Sequence, residues 1–240
     1  MAADSRVLVI IPAFNEEQSV GQVLLQLRQA APTFDRLVVN DGSQDRTGQV
    51  VNGLGEKQLR LITNLGYGQA LQAGIKYALL CDYEVVVTMD ADGQHRPEDA
   101  PRLVAALIEA QADVVIGSRF KAGRAAKAPL TREVGQRLFS ALSLPLLGRR
   151  IYDTTSGFRA LRAEACGVAV RGAFMDLHIE LLACLGLLGF KIVEVPVVPI
   201  DRAHGRSMHS LASVFQYPPK TLLLTTVAAV DALLEKRGAR

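Results

Sequence analysis

Tryptophan is absent from this 240-residue chain, and aromatic residues make up only 5% of it. A surface that stacks nucleic-acid bases needs aromatic platforms, so that function class is disfavoured at once. Charge of one sign is lacking as well: 24 Asp+Glu stand against 27 Lys+Arg, mixed along the chain, for a net charge of +3. No basic stripe marks a nucleic-acid partner, and none is expected. Cysteine is scarce. Cys81, Cys166 and Cys184 are odd in number and far apart, which argues against a disulfide framework and gives no Cys/His spacing for zinc. A reduced, cytoplasmic setting is the expectation. Long apolar runs are missing too. The first run, Val7–Ile11, is too short for a signal peptide. Neither Leu138–Gly148 nor Thr221–Val230 reaches the roughly 18 apolar residues of a bilayer span. The chain is therefore expected to lie, at most, on a membrane surface.

Apolar residues make up 49% of the chain and charged residues 21%, a globular balance that suits one α/β domain, or a domain with a short appendage. The first half alternates β-branched apolar runs with stretches of helical spacing. Strands are expected at Val7–Pro12, Arg36–Asp41, Gln58–Thr63, Glu84–Met89 and Ala112–Gly117. Helices are expected at Glu16–Ala31, Asp45–Asn52, Gly68–Leu80 and Pro97–Ala110. Such alternation predicts an α/β fold with a mainly parallel central sheet flanked by helices. Ligands then bind beyond the carboxyl ends of the strands.

The second half is less regular. Thr131–Leu147 has helical spacing, interrupted by Pro145. Gly157–Leu161 reads as a strand, Gly172–Met175 as a connection and Asp176–Leu188 as a helix. Lys191–Ile200 reads as an edge strand because of Pro196 and Pro199. A polar loop, Arg202–Ser210, precedes a final apolar helix that runs to about Glu235. Residues 1–210 are expected to form the main domain, and 211–240 an amphipathic helix. That helix would pack on the core, a partner or a membrane surface: Leu222, Leu223, Leu224, Val227, Val230, Leu233 and Leu234 are followed by Lys236, Arg237 and Arg240.

The strongest chemical signal is Asp90-Ala91-Asp92-Gly93-Gln94, between an expected strand and a helix opened by Pro97. Two carboxylates two residues apart at a strand end can face one cleft. Their hard oxygens suit Mg²⁺ or Mn²⁺ bridging two phosphates. The alternative is turn formation and helix capping, which Asp and Gly often serve. The first two strands end in Pro12-Ala13-Phe14-Asn15-Glu16 and in Asn40-Asp41-Gly42-Ser43, on the same rim. An acidic side chain there can bind a base or ribose, or simply belong to a strand–helix turn. Asp176 and Glu180 stand near the start of an apolar helix. Glu180 is a candidate general base or an ordinary helix-face carboxylate. His95, His178, His204 and His209 have no metal-ligand spacing and read as polar loop or surface residues, with His95 nearest the site.

PAFNE (Pro12–Glu16), DGSQDRT (Asp41–Thr47), NLGYGQAL (Asn64–Leu71), MDADGQH (Met89–His95) and GSRF (Gly117–Phe120) together resemble glycosyltransferase family 2. DTTSGFRAL (Asp153–Leu161), EVPV (Glu194–Val197) and Arg202-x-x-Gly205-x-Ser207 narrow the resemblance to its polyprenyl-phosphate sugar transferase branch, of the dolichol-phosphate mannose synthase type. The resemblance runs from about Val7 to Ser207. It implies a GT-A fold with a Rossmann-like nucleotide-binding half. It also implies inverting transfer from a nucleotide-diphosphate sugar to a lipid phosphate.

The family's roles carry over by residue. Pro12, Phe14, Glu16 and Asp41 match the base and ribose positions. Asp90, Ala91, Asp92 and Gln94 match the diphosphate and metal site, with Asp92 and Gln94 as ligands of Mg²⁺ or Mn²⁺. Arg119 matches a phosphate-binding arginine. Arg132, Ser156, Arg159 and Arg202, with Arg206 in the same loop as Arg202, are assigned to the acceptor phosphate. Arginine suits that task because its planar fork matches phosphate oxygens. Three departures stand out: Phe14 replaces the usual Tyr, Met208 replaces a frequent Lys, and the multi-helix anchor of many relatives is not expected here. A soluble or polysaccharide hydroxyl acceptor, and a non-catalytic nucleotide-sugar-binding module, are the alternatives at this stage. Oligomeric state stays open.

Overall fold

A computed structural model describes residues 6–121, 150–171 and 177–200, with positions 226, 227 and 230. Seven strands form one sheet in the order β3-β2-β1-β4-β6-β5-β7. They are β1 (Val7–Ala13), β2 (Asp35–Asn40), β3 (Lys57–Arg60), β4 (Val85–Thr88), β5 (Val114–Ser118), β6 (Arg159–Arg162) and β7 (Ile192–Pro196). The helices are α1 (Val20–Ala30), α2 (Thr47–Gly53), α3 (Tyr67–Leu80), α4 (Asp99–Glu109), α5 (Ala163–Arg171) and α6 (Ile179–Leu188).

β1 is buried along its whole length, and its successive side chains point to opposite faces. Leu8 and Ile10 join Leu37, Val39 and residues of α3, α5 and α6 in one core. Val7, Val9 and Ile11 join Val38 and residues of α1, α2 and α4 in another. The sheet is thus covered on both faces, which is why its strands read as continuous apolar runs. The pairs β1/β2, β1/β4, β2/β3 and β5/β7 are parallel. β6 lies between β4 and β5 and runs antiparallel to both. Its start therefore meets the carboxyl ends of its neighbours, and the residues just before β6 arrive at the rim where β1, β2 and β4 also end.

Several expected boundaries move. α1 begins at Val20 and not Glu16, because side chains from the next rim loop take the intervening amides. The N–H groups of Asn15, Glu16 and Glu17 donate to Ser43 Oγ (3.0 Å), Thr47 Oγ1 (2.8 Å) and Asp45 Oδ2 (3.1 Å). The third strand stops at Arg60, where its pairing with β2 ends at Asn40. β7 lies at the sheet edge as its prolines predict, but spans only Ile192–Pro196. α6 starts at Ile179, with His178 as its N-cap. Sequence reasoning missed α5, a nine-residue helix that runs unbroken through Gly167. It also missed the antiparallel direction of β6. The expected helix Thr131–Leu147, the connection Gly172–Met175, Asp176, the loop Arg202–Ser210 and most of the final helix lie outside the described residues.

Candidate active site

The rim is assembled from strand ends. Beyond β1, Asn15 takes a left-handed backbone conformation (φ 55°), which Asn tolerates better than most residues. Its side-chain oxygen accepts from the Gln44 amide at 2.9 Å. Pro12 is buried, whereas Phe14 is 38% exposed and offers a ring to the solvent side of the rim. Glu16 accepts a bond from Ser19 Oγ at 2.5 Å. Just past β2, the Asp41 amide donates to Ala13 O at 2.9 Å, drawing the two strand ends together. The Asp41 carboxylate is buried. Its two oxygens accept from the Leu65 and Gly66 amides at 2.8 and 2.9 Å. The expected base-binding aspartate therefore also holds the loop that leads into α3.

Asp90 follows β4 and is held from two sides. Tyr67, the first residue of α3, donates its hydroxyl to Asp90 Oδ1 at 3.0 Å. His95 Nε2 lies 3.1 Å from Asp90 Oδ2. Burial by itself would raise the Asp90 pKa. The hydrogen bond and charge of His95, the Tyr67 hydroxyl and the charge of His178 outweigh it and bring the value down to about 2. His178 is stacked on Tyr67 with ring centroids 5.7 Å apart. Its own pKa is pushed down to about 3, first by burial and then by the Arg159 cation. Reading His178 as a polar loop or surface residue is thus corrected: its ring packs against the site.

Ala91 is buried, and Gly93 makes the following turn at φ 76°. In that turn Asp92 Oδ1 accepts from the Gln94 amide at 3.0 Å. The Gln94 carbonyl accepts from the Ile200 amide at 3.0 Å, so the segment after β7 is tied to the Asp92 turn. Among the described residues, no group of three His, Cys, Asp or Glu side chains is placed to hold a metal ion by itself.

Arg119, just past β5, donates from Nε to Asp153 Oδ2 at 2.8 Å and from Nη2 to Asp153 Oδ1 at 2.9 Å. Asp153 is fully buried. The Arg119 pKa is raised: burial opposes this, but the bonds and charge of Asp153, and then the charges of Asp90 and Asp92, outweigh it. Arg119 therefore shares its field with both carboxylates of the Asp90–Gln94 turn. Glu194, on β7, accepts from the Tyr152 amide (2.9 Å to Oε2) and the Asp153 amide (2.8 Å to Oε1), and so fixes the segment that carries Asp153.

Ser156 and Arg159, expected at the acceptor side, are buried. The Ser156 hydroxyl donates to Gly117 O at 2.7 Å and accepts from the Phe158 amide at 3.2 Å. Arg159 donates to Leu177 O at 2.6 Å and Thr154 O at 3.1 Å. In this structure both brace the backbone around the site. Glu180 is buried in the first turn of α6. Arg132, Arg202 and Arg206 lie outside the described residues. The structure thus brings together Asp41, Tyr67, Asp90, His95, Gly157 and His178. A second group, Arg119, Asp153 and Glu194, adjoins it. Tyr67, Asp153, His178 and Glu194 received no role from sequence reasoning, although three of them stand inside the quoted motifs.

The family model of Glycosyl transferase family 2 matches residues 8–167. An undecaprenyl-phosphate mannosyltransferase of Micrococcus luteus is 36% identical over 215 residues, covering 85% of this chain and 88% of the relative. A polyprenol monophosphomannose synthase of Mycolicibacterium smegmatis is 34% identical over 222 residues, 87% of this chain and 83% of the relative. Among solved structures, glucosyl-3-phosphoglycerate synthase from Mycobacterium tuberculosis superposes with a TM-score of 0.70 at 24% identity, over 93% of this chain and 80% of that one. That last likeness is one of fold, and the fold is GT-A. With the motifs lying on the sheet rim and the family match spanning β1 to α5, the chain is a glycosyltransferase and belongs to glycosyltransferase family 2.

Proposed function

We propose that this glycosyltransferase moves a sugar from a nucleoside-diphosphate donor to a polyprenyl phosphate, with inversion at the anomeric carbon and with Mg²⁺ or Mn²⁺ at Asp92 and Gln94. The observation that carries the reading is the 36% identity, across 85% of the chain, to an enzyme named for undecaprenyl phosphate. The geometry supports it through what the carboxylates are doing. A hydroxyl acceptor must lose a proton, and a general base must be placed to take it. Asp90 is hydrogen-bonded on both oxygens, Asp153 is buried against Arg119, and Glu180 is buried in α6. His178, with its pKa at about 3, is a weak base. A phosphate acceptor is already anionic at neutral pH and needs none of them.

The donor set fits a hard divalent cation. Asp92 and Gln94 offer oxygen atoms from one turn, and diphosphate oxygens would complete the shell. When bound, such a cation neutralises charge developing on the leaving diphosphate. Arg119 adds a fixed positive charge beside it, and Asp41 and Phe14 face the base.

Among the described residues no helix is long and apolar enough to cross a membrane. Thr226, Val227 and Val230 are helical and exposed, the valines by about half. The two exposed valines, three residues apart, agree with the proposal that the 211–240 segment lies on the cytoplasmic membrane surface. The test is transfer to undecaprenyl phosphate from GDP-mannose, UDP-glucose and UDP-N-acetylglucosamine, with Mn²⁺ and with chelator. The expected result is a chelator-sensitive glycolipid whose anomeric centre is inverted by NMR. Transfer to hydroxyl acceptors alone, or an undiminished rate in chelator, overturns the acceptor or the metal assignment respectively.

A further inference from the structure

We infer that Tyr67 is a positioning residue for catalysis: its hydroxyl fixes the orientation of Asp90, and its own place is set by the loop that Asp41 holds and by the absence of a side chain at Gly157. The inference rests on the reading that Asp90 lines the donor site.

The Asp41 carboxylate anchors the Leu65 and Gly66 amides, and Tyr67 is the next residue. Its ring is packed against His178. The hydroxyl ends 3.0 Å from Asp90 Oδ1. Its pKa is raised well above 10, first by burial and then by the Asp90 charge, so it remains a proton donor across the working pH range. Gly157 makes the approach possible. A Cβ there would collide with the Tyr67 hydroxyl and stand 3.0 and 3.2 Å from the two Asp90 oxygens. The Gly157 backbone cannot retreat freely, because its carbonyl accepts from Thr88 Oγ1 at 2.6 Å on β4. Asp90 is therefore clasped between Tyr67 on one oxygen and His95 on the other, so that a swing about its χ angles would break both contacts. A carboxylate that must meet a substrate in one orientation gains from being fixed beforehand, because misplacement by even an ångström is costly in rate.

The experiment compares Tyr67→Phe, Gly157→Ala, Asp90→Asn and the double variant Tyr67→Phe/Asp90→Asn. Tyr67→Phe keeps the stack on His178 and removes only the donor. The assay uses whichever of GDP-mannose, UDP-glucose and UDP-N-acetylglucosamine the wild type turns over, and binding of UDP and GDP with Mn²⁺ is measured by calorimetry. A hydrogen bond to a charged group corresponds to a factor of about 10–100, so Tyr67→Phe should lower kcat by about that factor. Nucleoside-diphosphate affinity should fall by a smaller factor than kcat, because the base rim and the Asp92 turn proposed for the metal keep their own contacts. Gly157→Ala should act in the same direction from the opposite side. Because Asp90→Asn already removes what Tyr67 positions, the double variant should be little worse than Asp90→Asn alone. An impaired Asp90→Asn beside a Tyr67→Phe of normal kcat overturns the inference and leaves the site standing. Losses that multiply in the double variant, or a Tyr67→Phe whose only defect is nucleotide affinity, overturn it as well. A fully active Asp90→Asn removes Asp90 from the site, and the inference falls with it.

Discussion

Arg119 grips the fully buried carboxylate of Asp153 with two parallel hydrogen bonds, Nε to Oδ2 at 2.8 Å and Nη2 to Oδ1 at 2.9 Å. The geometry is the bidentate fork that guanidinium and carboxylate form best. Nη2 also donates to Thr155 Oγ1 at 3.1 Å, while Nη1 takes part in none of these bonds. The cation is thus held from behind, and among the described residues Nη1 makes no hydrogen bond; we propose that it faces the diphosphate. A lysine here would carry the same charge without a fork to fix its direction.

Removing the carboxylate should be costly. Asp153→Ala leaves the Arg119 cation largely buried, at 16% side-chain exposure, without its counter-charge. Breaking such a pair from one side costs about 3–5 kcal/mol. Urea denaturation should show a loss near the lower end of that range, since Arg119 retains some water. The gap should also depend on pH. Burial pushes the Asp153 pKa up, but the bonds and charge of Arg119 outweigh it and hold the folded value below the ordinary 3.8. A depressed carboxylate stabilises fully above its unfolded pKa and loses that contribution as pH falls through the folded one. The gap between wild type and Asp153→Ala should be level at neutral pH and close in acid below about 4. A variant as stable as wild type at pH 7 would leave the pair without structural weight.

How much of this was legible in the sequence depended on range. β1, β2 and β4 were readable because strands buried on both faces carry continuous apolar runs: all of Val7–Ala13 in β1, Leu37–Val39 in β2 and Val85–Val87 in β4. The Asp90-Ala91-Asp92 turn was readable because its place at a strand end follows from that pattern. β6 was found as a strand, but its direction was not. Direction is set by which neighbour accepts the pairing, and nothing local in Arg159–Arg162 encodes it. The same limit hid Tyr67 and His178. Each looks ordinary in its own segment, and they become a stacked pair only when α3 and the start of α6 meet across one face of the sheet. Asp41 was read as a ligand for the base. Its second task, holding Leu65 and Gly66, depends on a loop 24 residues away.

Asp92→Asn should separate chemistry from folding. Asp92 is half-buried at the rim, and one of its oxygens bonds within its own turn. An amide oxygen can accept the same bond, so thermal stability should change by no more than a few degrees. The negative charge for the proposed cation is gone, and charge stabilisation at a metal site is worth several kcal/mol, on the order of a thousandfold in rate. Turnover and thermal unfolding measured on one preparation decide the matter. Near-normal turnover would move the metal away from Asp92.

His178 should make stability fall as the solution becomes mildly acidic. Burial, then the Arg159 cation, depress its folded pKa from 6.5 to about 3. The unfolded chain therefore binds a proton between those values that the folded chain refuses. Stability from this group is complete above about pH 6.5 and declines below it, by at most about 1.4 kcal/mol per pH unit. The ring keeps some solvent contact, so the observed slope should be shallower than that limit. His178→Phe preserves the stack on Tyr67 and removes the titrating group. Chemical denaturation at pH 7.0, 6.0 and 5.0 should show a flatter profile in the variant than in wild type. Parallel profiles would assign the acid sensitivity to other groups.

Glu194 links the sheet edge to Arg119 through Asp153. Its buried carboxylate, 4% exposed, accepts from the Tyr152 and Asp153 amides. The Lys121 ammonium bonds its backbone carbonyl. Both carboxylate oxygens face N–H donors, so Glu194→Gln turns at least one acceptor into an NH₂ group aimed at an amide hydrogen. A buried donor left unsatisfied costs about 1–3 kcal/mol, and the 152–153 backbone should shift to relieve it. That backbone carries Asp153, and Asp153 orients Arg119. The variant should therefore lose turnover as well as stability, although Glu194 itself touches no substrate in the proposed arrangement. A purely structural role predicts lost stability with unchanged kcat in the fraction that stays folded. The relay predicts a lower kcat in that same fraction. It also predicts that the kcat defects of Glu194→Gln and Arg119→Lys combine to less than their product, because both act through one guanidinium. Kinetics at a temperature where each variant is fully folded distinguishes the two, and independent, multiplying defects would disconnect Glu194 from Arg119.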